Sequence, residues 1–249
     1  MGMNLPDLTD DLLLRRTVDL FDDFNVYVDT QTHTKGNTGA GTSVANSDAV
    51  NGVLTLTSGA TANNEVWVAT TRKNWLLQSA PTANPIPAGK SITVEGRLNY
   101  AEASTNNAGV FFGLSDSFAA GQLVNGTLTP AVSFSGMAIY KIKGETVWRT
   151  ICSNSTTQLI HKSTQASGLA TDQVLRIEAR VISASLAEVV YWVDGLPLYD
   201  SAVTNQTLRI KDQFTITSLN KMALGLFVKA GTTASEVVNL DYECVLSLR

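Results

Sequence analysis

Apolar and polar residues alternate over 174–181, with Leu175, Ile177, Ala179 and Val181 on one side and Arg176, Glu178 and Arg180 on the other. A period of two marks a strand buried on one face. Val189-Val-Tyr-Trp-Val193 follows, then Asp194-Gly195, then Leu196-Pro-Leu-Tyr199. Asp-Gly between apolar runs signals a tight hairpin, because a type I′ turn needs positive φ at both central residues. Residues 173–200 are therefore predicted as strand, strand, turn and strand, all antiparallel.

The same reading extends over most of the chain. Residues 24–28, 52–57, 65–71, 75–78 and 91–100 are predicted strands, with Gly96 marking a bulge or a close backbone approach. Residues 31–41, which hold three glycines and His33, are predicted as a polar loop. Residues 108–114 are almost continuously apolar, as in a strand covered on both faces. A long loop over 118–130 precedes a hairpin of 131–143 and 146–154, extended by 158–163. Residues 208–216, 221–228 and 237–248 complete the set. The last of these places Val238, Leu240, Tyr242, Cys244, Leu246 and Leu248 on one face.

Residues 1–20 read differently. Leu8, Leu12 and Leu13 fall on one helical face, Asp7 or Thr9 can cap its start, and arginines close it. This arm packs on its own domain or docks on a neighbouring subunit or capsid. About a dozen or more short strands, with little helical periodicity elsewhere, indicate a sandwich. The expected fold is all-β, a two-sheet antiparallel jelly-roll sandwich over residues 21–249 behind the arm of residues 1–20.

The phrase of an alternating strand, a second strand ending in Val193-Asp-Gly195 and a short return strand resembles the laminin-G/concanavalin-A-like jelly-roll families. Phe21-Asp-Asp-Phe24 and Gly52-Val-Leu-Thr-Leu56 are similar to the same class. The Gly/Thr-rich phrasing around them resembles in particular the jelly-roll virion proteins of tailed bacteriophages, of the capsid decoration or cement type. The resemblance implies a symmetric homo-oligomer, with a trimer the favoured count. It also implies a major capsid protein as partner, and a place in the virion after synthesis in the host cytoplasm.

Composition narrows the function classes. Charged residues make up 16% of the 249, against roughly 25% in an average soluble protein. A neutral, hydroxyl-rich surface suits strands and suits contact with other protein. A net charge of −4 argues against nucleic acid, which needs a basic stripe. The start lacks the pattern of a secretory signal, and no run approaches the roughly 20 apolar residues of a membrane span. Neither nucleic acid nor membrane is an expected partner. Cys152 and Cys244 are expected as two buried thiols.

Catalytic chemistry would leave its mark in carboxylate pairs, histidines or nucleophile motifs. Asp241 and Glu243 have the parity of a glycosidase pair, but read as a solvated face. His33 and His161 lie far apart in sequence and read as surface residues. A Gly-x-Ser-x-Gly elbow and a phosphate-binding loop are both missing from the sequence. The chain is expected to be non-enzymatic and to need no cofactor or metal. The alternative to the decoration role is a lectin-like module on a tail fibre, with a glycan stacked on Trp67, Trp75 or Trp192. Each of these, like Trp148, reads more readily as core.

Overall fold

The computed structural model describes residues 16–24, 32–48, 52–71, 91–102, 106–168, 170–203, 208–216 and 221–248. Among them run sixteen strands: β1 (Arg16–Asp22), β2 (His33–Thr38), β3 (Thr42–Asp48), β4 (Val53–Ser58), β5 (Glu65–Thr70), β6 (Ser91–Glu102), β7 (Ala108–Ser115), β8 (Ser135–Lys141), β9 (Val147–Asn154), β10 (Gln158–Ala166), β11 (Gln173–Ser183), β12 (Leu186–Val193), β13 (Leu196–Pro197), β14 (Lys211–Thr215), β15 (Ala223–Ala230) and β16 (Glu236–Leu248). They form two antiparallel sheets. The first has the order β13-β12-β11-β6-β16-β4-β3, with β14 also on β12 and β1 also on β16; the second has the order β10-β9-β8-β7-β15-β5-β2.

Inward positions follow from the period of two. Leu175, Ile177, Ala179 and Val181 of β11, with Ala187, Val189, Tyr191 and Val193 of β12, face Val110, Phe112, Leu114, Leu224, Leu226 and Val228 from the second sheet in one buried core. Strands β7, β8 and β15 are buried along their whole length, because a loop covers their outer face as well. The expected hairpin is present: Asp194 and Gly195 have φ of 53° and 75°, and Val193 pairs with Leu196. The Asp194 carboxylate also accepts the Val174 amide at 2.8 Å, tying the turn to the start of β11.

Four expectations change. First, residues 33–38 are not loop but β2, the edge strand paired to β5; alternation is hidden there by Gly36, which lies under the Trp67 ring. Second, β3 was not legible in 42–48, a polar edge strand on β4. Third, Phe24 itself is not in a strand: it sits at φ 54° after β1, fully buried; the rest of that expected strand, 25–28, and the expected strand 75–78 lie outside the described residues. Fourth, a bulge between Leu240 and Tyr242 breaks the alternation of β16. Val238 and Leu240 face the core; beyond the bulge Glu243 and Val245 do, and Tyr242 and Leu246 turn outward. At this bulge the neighbour of β16 changes from β4 to β1. Gly96 marks the close approach, since a Cβ there would meet the Phe112 ring at 2.6 Å. Residues 16–20 of the expected arm lie in β1; its earlier part lies outside the described residues.

A candidate site over the seven-stranded sheet and a second surface at Trp192

The outer face of the seven-stranded sheet carries one cross-strand row: Gly36, Trp67, Phe227, Phe111, Tyr140, Arg149 and Lys162. Trp67 lies flat against Phe227, with ring centres 5.5 Å apart. Phe111 meets Phe118 and Phe134 edge-on. These two, with Leu123, belong to the 116–134 segment, which folds over the row and buries it as a second, smaller core.

Buried charge pins that segment. Lys229 Nζ donates to Glu65 Oε2 at 2.7 Å and to the Leu123 carbonyl at 2.6 Å, while Glu65 Oε1 accepts the Gly121 amide at 2.8 Å. Both side chains are almost wholly removed from water, so each needs the other. Asn63 Oδ1 accepts from the Gly126 amide, adding a surface tie. Within the segment itself opens a cavity of about 160 Å³ lined by Asp116, Ser117, Ala119, Ala120, Gly121, Gln122, Ala131, Ser133 and Phe134. Gln122 is held by its side-chain amide on Ser115 Oγ, and Asp116 Oδ1 accepts the Ser135 amide. The lining therefore combines carboxylate, amide, hydroxyl and one aromatic ring in fixed positions.

On the outer face of the nine-stranded sheet a different row runs Pro197, Trp192, Arg176, Glu95, Cys244 and Phe21. Trp192 is half-buried, with the Arg209 guanidinium 4.5 Å and the Arg176 guanidinium 5.2 Å from its ring centre. Phe21 stacks on Tyr242, whose hydroxyl donates to Glu95 at 2.8 Å.

Two histidine clusters escaped the sequence reading. His33, expected at the surface, is fully buried; its Nε2 meets Glu243 Oε1 at 2.7 Å and its Nδ1 lies 3.6 Å from Asp22. Burial works against its charge, but the Glu243 hydrogen bond and the two carboxylates raise its pKa. Glu243, expected on a solvated face beside Asp241, is buried by the bulge, whereas Asp241 pairs outward with Arg97. The two carboxylates thus point to opposite faces, and the glycosidase pair does not form. His161 bridges Asp200 (2.7 Å) and Asp212 (2.9 Å), and Tyr191 donates to Asp212 at 2.9 Å. The Asp212 hydrogen bond, outweighing burial, pushes the His161 pKa up to about 9.

The three tryptophan candidates do not share a groove. Trp67 and Trp192 lie on the outer faces of opposite sheets, while Trp75 lies outside the described residues, as do Leu8, Leu12 and Leu13. Trp148 is core, its indole N–H donating to Gln173 at 2.9 Å. Cys152 and Cys244 are free buried thiols. Among the described residues no group of three or more His, Cys, Asp or Glu side chains is placed to hold a metal ion.

Comparison with known proteins places the fold. No protein-family profile matches the chain, and no curated protein matches it either. Solved structures do. The carbohydrate recognition domain of Emp47p superposes with a TM-score of 0.56 at 10% identity, covering 93% of this chain and 96% of that one. An endo-β-1,4-glucuronan lyase from the fungus Trichoderma reesei gives 0.53 at 10%, covering 92% and 95%. A legume lectin-like domain from Entamoeba histolytica gives 0.52 at 11%, covering 86% and 89%. The chain has a lectin-like jelly-roll fold. At such identities the likeness speaks to fold alone, and this fold hosts both binding domains and an enzyme.

Proposed function

We propose that this chain is a carbohydrate-binding module and that the cavity within the 116–134 segment is its saccharide seat. The observation that carries this reading is the convergence of Asp116, Gln122, Ser117 and Ser133 around a recess walled by Phe134. A sugar presents hydroxyls that both donate and accept, together with C–H faces. A carboxylate acceptor, an amide, two hydroxyls and an aromatic wall answer all of these. At about 160 Å³ the recess holds on the order of ten waters, less than the roughly 300–1,000 Å³ of a drug-sized pocket. That size suits one terminal sugar unit. The carbohydrate recognition domain of Emp47p and the lectin-like domain of Entamoeba share the fold, which supports the reading by analogy.

A glycan array followed by titration calorimetry tests it. Asp116→Ala and Gln122→Ala should each weaken binding by about tenfold or more. Because Asp116 also accepts the Ser135 amide and Gln122 also donates to Ser115, each should in addition lower stability by about 1–2 kcal/mol. Binding is compared at a temperature where both variants stay folded. An array with no saccharide retained, or variants that bind like the parent, would overturn it.

A second reading is a decoration protein that binds a phage capsid as a homo-oligomer, with a trimer the count to test first, and resides in the virion. Its support is the outward display of Phe21, Val132, Leu196 and Leu208, each more than half exposed, on a chain with few charges to oppose contact. Light scattering on the full chain and on a chain lacking residues 1–15, which keeps β1 whole, separates the two. A defined oligomer weakened by the truncation favours decoration; a monomer indifferent to it counts against that role.

A further inference from the structure

We propose that the Trp192 surface is a second binding site, separate from the cavity, for an acidic polysaccharide with charged groups on neighbouring sugar units. This deepens the carbohydrate-binding reading and rests on it. Arg209 forms no ion pair among the described residues, and its one recorded side-chain contact is the Trp192 ring. Arg176 touches a carboxylate only at 3.5 Å, that of Glu178 two positions along its own strand. Glu95, beside Arg176 on β6, is occupied by the Tyr242 hydroxyl. The Nε of each arginine is shielded yet has no hydrogen-bond partner. In a chain with only 18 Lys and Arg and a net charge of −4, one indole thus gathers Arg209, which has no ion pair among the described residues, and Arg176, held to a carboxylate only by the long Glu178 contact.

The indole supplies the order. Stacking on a ring holds a guanidinium by its face and leaves its in-plane N–H groups free to donate. With Nε shielded in both arginines, the terminal Nη groups are the ones a ligand would meet. Two guanidiniums fixed by one ring form a pair of preorganised forks, and such a fork matches a carboxylate or sulfate ester bidentately. Because the forks are two, the ligand must bring two acid groups at short spacing, as a repeating uronate or sulfated chain does and a neutral glycan does not. The surroundings fit a sugar backbone: Pro197 neighbours Trp192 on the sheet, giving apolar ground for C–H faces. Lys211 on β14, along the same edge, is already paired with Glu188 at 3.0 Å, so the positive charge of this surface rests on the two arginines.

The test is affinity electrophoresis and calorimetry on the full chain with polygalacturonate, dextran sulfate and neutral dextran, at low salt and at high salt. Arg209→Gln and Arg176→Gln keep a planar polar group while removing charge, and Asp116→Ala serves as the cavity control. Binding to an acidic polymer, absent for dextran, reduced by salt, weakened about tenfold by each Arg→Gln and unaffected by Asp116→Ala is the expected result. Preference between polygalacturonate and dextran sulfate assigns the anion. Equal binding of dextran, no binding of either acidic polymer, or Arg→Gln variants that bind unchanged would each overturn the proposal. So would Arg→Gln variants whose only effect is a change in oligomeric state, which would make this face a protein interface. If the cavity reading fails instead, neutral saccharides go unbound while the polyanion is still retained.

Discussion

His161 makes stability depend on pH in a direction that can be fixed beforehand. Its imidazolium donates to Asp200 and to the nearly buried Asp212, whose other oxygen takes the Tyr191 hydroxyl, and Asp200 is further held by the Ala202 amide. The Asp212 bond leads in raising the pKa from 6.5 to about 9. Such a displacement corresponds to about 3 kcal/mol of preference for the charged form. Because the side chain is 30% exposed, solvent screening reduces this to about 1–2 kcal/mol. Below pH 6.5 the folded and unfolded states both carry the proton and the contribution is complete. Between 6.5 and about 9 only the folded state holds it, so stability falls with rising pH, and above that the contribution is gone.

His33, also raised, contributes with the same sign, so the informative quantity is the gap between the parent and His161→Gln. Urea unfolding at intervals from pH 6 to 9.5 should show a gap that is widest at pH 6 and narrows by about 1–2 kcal/mol by pH 9.5. NMR titration of the two imidazoles gives an independent check on the His161 midpoint. A gap that stays constant across the range, or a His161 midpoint near 6.5, would refute the reasoning.

Three further outcomes follow from buried contacts. Lys229→Met strands the Glu65 carboxylate and should cost about 3–5 kcal/mol, read by chemical denaturation; Lys229→Met with Glu65→Leu should recover much of it. Gly36→Ala places a Cβ 2.2 Å from the Trp67 ring, so it should cost about 1–3 kcal/mol and alter tryptophan fluorescence; an unchanged spectrum and melting curve would contradict the packing described. Asp194→Ala removes the acceptor of the Val174 amide and puts a less tolerant residue at φ 53°, for an expected loss of about 1–2 kcal/mol in thermal unfolding.

How far the sequence was legible depends on where each signal is written. Alternation in β11 and β12, the Asp194-Gly195 turn and the apolar run of β7 are local, and each leads to the right element. The edge strands β2 and β3 carry small polar residues whose strand state comes from pairing with β5 and β4, which no local pattern records. The β16 bulge is the costliest gap. One additional residue between Leu240 and Tyr242 reverses every later side chain, so Glu243 passes from an expected solvated face into the core. The acidic residue on the core-facing parity beyond such a slip is the only trace in the sequence, and it becomes readable only once His33 is known to lie opposite. The His161 cluster likewise joins residues 39 and 51 positions apart. The cavity lies where a long loop was expected over 118–130, yet the loop's boundaries say nothing of its docking on Phe111 and Lys229.

That docking decides what the 116–134 segment can do. A loop of that length would ordinarily be mobile and would have to order itself around a ligand at an entropic cost. Here the cost is met on folding, because Phe118, Leu123 and Phe134 close over the aromatic row and the Lys229–Glu65 pair engages both Leu123 and Gly121 from below. Gly109 and Gly225 keep the sheet low beneath it: a Cβ at Gly109 would meet Leu123 and Leu128 at 3.0 Å, and one at Gly225 would meet Phe118 at 2.8 Å. The small residues that look like gaps in the alternation of β7 and β15 are therefore the seat of the segment. The polar groups of the cavity stand in fixed positions because apolar and charged groups on its far side are already satisfied. By this logic Lys229→Met should weaken saccharide binding through the loop even though Lys229 does not line the cavity. Hydrogen exchange at Gly121 and Leu123 would accelerate in step with that loss; a variant that loosens the loop and binds as before would separate the cavity from its support.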